Sequence, residues 1–270
     1  MHQVRSAAVA GSFYPAQGPV LSRAVQGLLQ PFAPLQDARQ APPKALIVPH
    51  AGYVYSGSTA AQAYAQLTPW RQSIRRVVLL GPVHRVPVRG LALPGVEAFT
   101  TPLGEVPVDG AAVEALGRLP QVVVSPNAHA QEHALEVQLP FLQTVLDTFS
   151  LVPLVVGDAT PDEVAEVLET VWGGAETLII ISSDLSHYLP YAEAQHKDRA
   201  TVDQILRLTP LDEFEQACGA LPINGMIEVA RRQGLMPSLL DLRNSGDTAS
   251  DRSRVVGYAA LAFAEPGEKR

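Results

Sequence analysis

Four short apolar runs punctuate the chain, at residues 44–48 (KALIV), 75–80 (RRVVLL), 151–156 (LVPLVV) and 177–182 (TLIIIS). They lack the polar alternation of a half-exposed strand, so 44–48, 75–80 and 177–182 read as parallel strands covered on both faces, and 151–156 as another strand. Helical signals lie between them. Residues 19–29 have helical spacing, and Ser56 is a candidate N-cap for a helix reaching residue 67. A short helix is predicted after Asp109. Residues 131–146 carry apolar side chains at helical spacing, with Pro140 as a kink or break. Thr160-Pro161-Asp162-Glu163 combines a cap, a proline and a third-position acid, a strong helix start. A further helix spans 191–208, Thr209-Pro210 opens one that carries Cys218, and 224–233 is stopped by Gly234. Residues 121–124, 238–242 and 255–263 read as additional strands. Pro94, Gly95, Pro102, Gly104 and Pro107 break 91–108 into hairpins or an irregular excursion, and the proline-rich 31–44 reads as a surface link. Strands alternating with helices predict an α/β fold: one domain over 1–270, a central, mostly parallel sheet, and helices on both faces.

Composition narrows the function. The 270 residues are 47% hydrophobic and 17% charged, an ordered globular profile. A net charge of −7 without a Lys/Arg cluster argues against nucleic acid and for a small-molecule or protein partner. Cys218 is the one cysteine, which excludes an internal disulfide and fits a reducing cytoplasm. The N-terminal apolar stretch is too short for a secretory signal, and no run is long enough to span a membrane. The expectation is a soluble, cytoplasmic protein with no membrane partner.

Three of the apolar runs end in groups that bind metals or move protons: His50 in PHAGY, His84 in GPVH, and Asp184 with His187 in SSDLSH. Open α/β sheets place their ligands beyond the carboxyl ends of such strands, so one shared site is predicted there. Each histidine alone also fits a strand-end ring bonded to a carbonyl, and Cys218 alone fits a small buried apolar residue. Two imidazoles need a third ligand, for which Cys218, Asp184, His187 and the acidic 131–136 segment are candidates. Asp184 and His187 can orient one another as a general acid/base, or form a turn or helix cap. No G-x-S-x-G elbow surrounds Ser183 or Ser186, which weakens a serine hydrolase. On a helix, Glu132 and Glu136 would share a face, as would His133 and Glu136. The order is neither H-E-x-x-H nor H-x-x-E-H, so a zinc protease is excluded, and these acids read as supports for a ligand or as a capping turn.

In order along the chain, PHAGYVYSGSTAAQAY, GPVHRVPVRG, TTPLGEVPVD, AHAQEHALEVQLPFLQ, PLVVGD, SSDLSHY, CGALPI and NSGD followed by VVGYAALAF resemble the Memo family. In prokaryotes this family is also called AmmeMemoRadiSam system protein B. The resemblance implies a fold similar to the class III extradiol dioxygenases of the LigB type, which hold non-haem iron with two histidines and a carboxylate. In Memo proteins the matching pocket has two histidines and a cysteine, which fall on His50, His84 and Cys218. It further implies iron, with copper or zinc as alternatives, at a redox-active site. Asp184, His187, Glu132 and His133 would be the catalytic residues. Radical-SAM and AMMECR-like proteins are the implied partners. The alternatives are an adaptor for a peptide or phosphorylated ligand and a metal-assisted hydrolase. Arg85, Ala220 and Leu221 depart from residues seen in other members, and the cysteine in place of a carboxylate departs from the dioxygenases.

Overall fold

The computed structural model describes residues 2–34, 41–212, 215–249 and 251–265. In chain order the strands are β1 (Val4–Arg5), β2 (Ala45–Val48), β3 (Arg76–Pro82), β4 (Leu91–Leu93), β5 (Ala98–Thr101), β6 (Gly104–Pro107), β7 (Val122–Val124), β8 (Ser150–Val156), β9 (Thr177–Ser182), β10 (His187–Leu189), β11 (Met236–Asn244) and β12 (Val255–Ala264). The helices are α1 (Gly18–Leu29), α2 (Tyr53–Ala65), α3 (Gly110–Leu116), α4 (Pro126–Ala130), α5 (Leu139–Val145), α6 (Pro161–Thr170), α7 (Tyr191–Leu206), α8 (Ala220–Gln233) and α9 (Ser245–Thr248).

Among the described residues nine strands form the main sheet, ordered β10-β12-β2-β9-β3-β8-β4-β7 with β11 on β12. Its centre, β2-β9-β3-β8, is parallel, and these are the four apolar runs. Antiparallel β12 and β4 flank that centre. Alternate residues face opposite sides: Ala45 and Ile47 join one apolar cluster with α6, α7 and α8, while Leu46 and Val48 join another with α1, α2 and α5. This is the expected α/β sheet with helices on both faces. A small sheet, β1-β5-β6, accounts for the broken 91–108 region with a β5–β6 hairpin.

Several local expectations are corrected. Ser56 lies inside α2, where its Oγ donates to the Ala51 carbonyl at 3.0 Å, and Gly52 is the cap residue. Pro140 does not break a helix; it sits in the first turn of α5, where its missing N–H costs nothing. The start signal at Thr209-Pro210 leads to no helix carrying Cys218, which occupies a turn just before α8. Residues 35–40 of the proline-rich link lie outside the described residues. Thr160 and Glu163 do form a reciprocal capping box.

Candidate metal and acid–base site

Backbone geometry gathers the chemistry at the carboxyl ends of β2, β9 and β3. The two histidine-bearing strands are not adjacent, because β9 lies between them. That strand contributes Ser182 and, just beyond it, Asp184. His50 is 2% exposed, and its backbone N–H donates to Asp184 Oδ1 at 2.7 Å.

The tautomer of His50 follows from its neighbours. Ser182 Oγ donates its proton to the Ala134 carbonyl at 2.6 Å and accepts from Gln138 Nε2 at 2.8 Å. The Tyr64 hydroxyl donates to Gln138 Oε1 at 2.9 Å, which fixes the amide's orientation. Ser182 Oγ therefore has only a lone pair for His50 Nδ1, 3.0 Å away, so Nδ1 carries the hydrogen. The Nε2 lone pair is left to accept, and the Cys218 sulfur is the group it faces. Burial, followed by the nearby His84, pushes the His50 pKa down to about 3, so the ring is neutral at ordinary pH.

Glu132 organises His84. One carboxylate oxygen accepts from the His84 backbone N–H at 2.7 Å, and the other lies 2.9 Å from His84 Nδ1 and accepts from Ala134 N–H. Burial opposes the charge, but His84 and these N–H groups outweigh it and hold the carboxyl at about 2. The anion thus accepts from Nδ1 and leaves Nε2 of His84 open. His133 Nδ1 is 3.4 Å from the same carboxylate, and its ring stacks on His84 with centroids 4.7 Å apart. Burial, then His50, push its pKa down to about 4.

One ring nitrogen from each of His50, His84 and His133 falls within 4.8 Å of the others, a group that can hold a metal ion. The structure groups His133 with His50 and His84, whereas the sequence suggested an acid–base role for it. Cys218, expected as the third ligand, is not in that group; from its turn it meets His50 alone, with Sγ 3.2 Å from His50 Nε2. That sulfur accepts from the Asp184 N–H at 3.3 Å. Burial, then the Asp184 charge, push the thiol up to about 12, so it is protonated and serves as the donor to His50. The turn depends on Gly219, where a Cβ would meet the Ser183 side chain at 2.6 Å.

The remaining candidates separate. Asp184 is buried, and its pKa is raised by burial against the opposing His50 N–H and the His187 charge. His187 opens β10 and is exposed; among the described residues it makes a ring contact with Tyr188 and no hydrogen bond to Asp184. Residues 131–135 are not helical, so Glu132, His133 and Glu136 share no helix face. Glu136 is turned away from the imidazoles, accepting from Arg5, the Ala8 and Val9 N–H groups and the Tyr14 hydroxyl. Sequence reading missed Gln138 and Tyr64, which fix the His50 tautomer; only their place in the AHAQEHALEVQLPFLQ and PHAGYVYSGSTAAQAY blocks pointed to them. A cavity of about 400 Å³ lies apart from the rings, between α7 and β11.

Comparison with known proteins matches residues 5–262 to the family model described as Memo-like protein. A "MEMO1 family protein" of Aquifex aeolicus is 38% identical over 97% of this chain and 99% of its own length. Another from Archaeoglobus fulgidus is 37% identical over 96% and 99%, and one from Sulfolobus acidocaldarius 34% over 97% and 100%. The crystal structure of an uncharacterized protein from Escherichia coli K12 superposes with a TM-score of 0.55 over 80% of this chain and 98% of that one. At 12% identity that likeness speaks for the fold alone.

Proposed function

The chain belongs to the Memo family, and on that premise we propose that it holds a transition-metal ion at the imidazole cluster for oxidoreductase chemistry. The observation carrying this reading is the trio of converging rings, two of them held through Nδ1 by Ser182 and Glu132, with His50 Nε2 accepting from the Cys218 thiol until a metal takes its place. Histidine ligands characteristically donate their other ring nitrogen in this way. The donor set fits the ion class: imidazoles beside a thiol suit iron, copper or zinc and match magnesium or calcium poorly. Iron is our first choice, on the family resemblance. Bound there, the ion would supply Lewis acidity and, as iron or copper, one-electron exchange.

The protein's own groups do the rest. Glu132 fixes the His84 ring and faces His133 with its negative charge. Cys218 completes the wall beside His50, losing its proton if it is drawn into coordination. Asp184 anchors the His50 backbone, and the exposed His187 passes a proton between substrate and water. The whole chain acts as one Memo-like unit in the cytoplasm, alongside radical-SAM and AMMECR-like proteins. No helix among the described residues is long and apolar enough to cross a membrane.

Elemental analysis after anaerobic loading tests the reading. The parent should retain about one ion per chain, while His50→Ala, His84→Ala and His133→Ala should lose it and His187→Ala should keep it. Equal metal in all of them would defeat the proposal; oxygen uptake by the iron-loaded parent, absent in His187→Ala, would support turnover. Val54, Tyr55 and Tyr188, exposed next to the His50 and His187 segments, favour a second reading as a peptide-docking module. Peptide binding that survives His50→Ala would support that second reading.

A further inference from the structure

A carboxylate on α7 touches the acid–base segment from the side of the cavity between α7 and β11. Asp198 is 2% exposed, and its Oδ1 accepts the Ser186 backbone N–H at 3.0 Å. Ser186, fully buried, stands between Asp184 and His187. The same stretch is tied to β12 on its other side: Leu185 N–H donates to the Gly257 carbonyl at 2.8 Å, and Gly257 N–H to the Ser186 carbonyl at 2.9 Å. Gly257 is what lets the carboxylate in, since a Cβ there would lie 2.0 Å from Asp198 Oδ2.

The arrangement is costly. Asp198 Oδ2 and Ser186 Oγ are both buried without a well-aligned hydrogen bond. Burial pushes the carboxyl up to about 6, although the Ser186 N–H and hydroxyl pull the other way. Immediately beyond His187, Tyr188 is held at φ 61°, a left-handed conformation that a bulky residue keeps only when its surroundings impose it. A buried, half-satisfied acid whose hydrogen bond goes to this segment, next to imposed backbone strain, is the pattern of a group that sets geometry.

We infer that Asp198 is a positioning residue: by holding the Ser186 N–H it fixes the Asp184–His187 segment, and so the placement of the His187 ring. The inference rests on the reading of His187 as the proton carrier, but not on the identity of the metal.

Isotope-labelled full-length protein provides the test, with Asp198→Ala and Asp198→Asn compared to the parent. Asp198→Ala should speed hydrogen exchange at the Ser186 amide at least tenfold and displace the His187 imidazole titration, while amides of β3 and β8 keep their protection. Asp198→Asn, which keeps a carbonyl acceptor but loses the charge, should restore both readouts. Restoration separates positioning from a direct charge effect, because both variants are neutral. Unchanged Ser186 exchange and His187 titration in Asp198→Ala would overturn the inference. So would failure of Asp198→Asn to restore them, or to fold. Metal content in the same samples reports separately on the metal reading: a parent that binds no ion sinks that reading while the two nuclear magnetic resonance readouts still decide Asp198.

Discussion

Gln138 illustrates how a residue with no ligand role can decide whether a site binds. Its amide occupies one lone pair of Ser182, which forces the Nδ1–H tautomer on His50 and leaves Nε2 to accept. Gln138→Leu removes that constraint, lets Ser182 donate to Nδ1, and should weaken metal affinity about 10–100-fold, the usual cost of losing such a support. Competition with a coloured chelator would measure it, and an unchanged affinity would count against the tautomer argument. Cys218 gives a second expectation. A thiol pushed up to about 12 has almost no thiolate at pH 8, so iodoacetamide should label the native protein at least about a hundredfold more slowly than the unfolded chain. Mass spectrometry of timed samples reads this directly. Neither point is visible in the sequence, where Gln138 is one of many polar residues and Cys218 has only its motif. His50, His84, Asp184 and His187 were visible because they end apolar runs, and a chain position next to a strand end is itself a spatial statement.

At the scale of elements, the sheet centre was legible and its order was not. Runs rich in Val, Ile and Leu mark β2, β3, β8 and β9 wherever they fall in the chain, but nothing in β9 announces that it inserts between β2 and β3. The 131–138 segment misled for a different reason. Its apolar residues are buried, as in a helix, yet the Glu132 side chain takes the His84 and Ala134 N–H groups and draws the backbone into a turn instead. That turn is braced by the N-terminus. Arg5 of β1 pairs with buried Glu136 and also donates to the His129 and Glu132 carbonyls. Glu136→Ala strands a buried guanidinium, so a loss of about 3–5 kcal/mol is expected from urea unfolding. Because the same arginine holds the Glu132 carbonyl, metal retention should fall as well, although Glu136 touches no imidazole. A variant that keeps its stability but loses metal would show that Glu136 acts at the site itself.

For the whole molecule, the buried histidines govern how stability responds to acid. His50 is pushed down to about 3, and His129 and His133 to about 4, burial being the first cause in each. A depressed histidine pKa means that the unfolded chain binds more protons between the folded value and about 6.5. Stability is therefore full above that range and is lost as pH falls through it. Glu132, held at about 2, adds a further loss below about 4.5. Asp198 works the other way: raised to about 6, it favours the folded state as pH falls towards 4. One carboxyl cannot offset three imidazoles, each worth on the order of 2–3 kcal/mol before their mutual repulsion is counted. The urea midpoint of the metal-free protein should consequently drop between pH 7 and pH 4.5. His129 isolates the effect, because it lies outside the imidazole trio and its ring Nε2 donates to the Ala92 carbonyl at 2.7 Å. His129→Gln keeps a donor near that carbonyl but cannot be protonated, so its midpoint should fall less steeply with acid than the parent's. Equal slopes in the two proteins would mean that His129 does not carry the acid sensitivity assigned to it, and that His50 and His133 account for the loss.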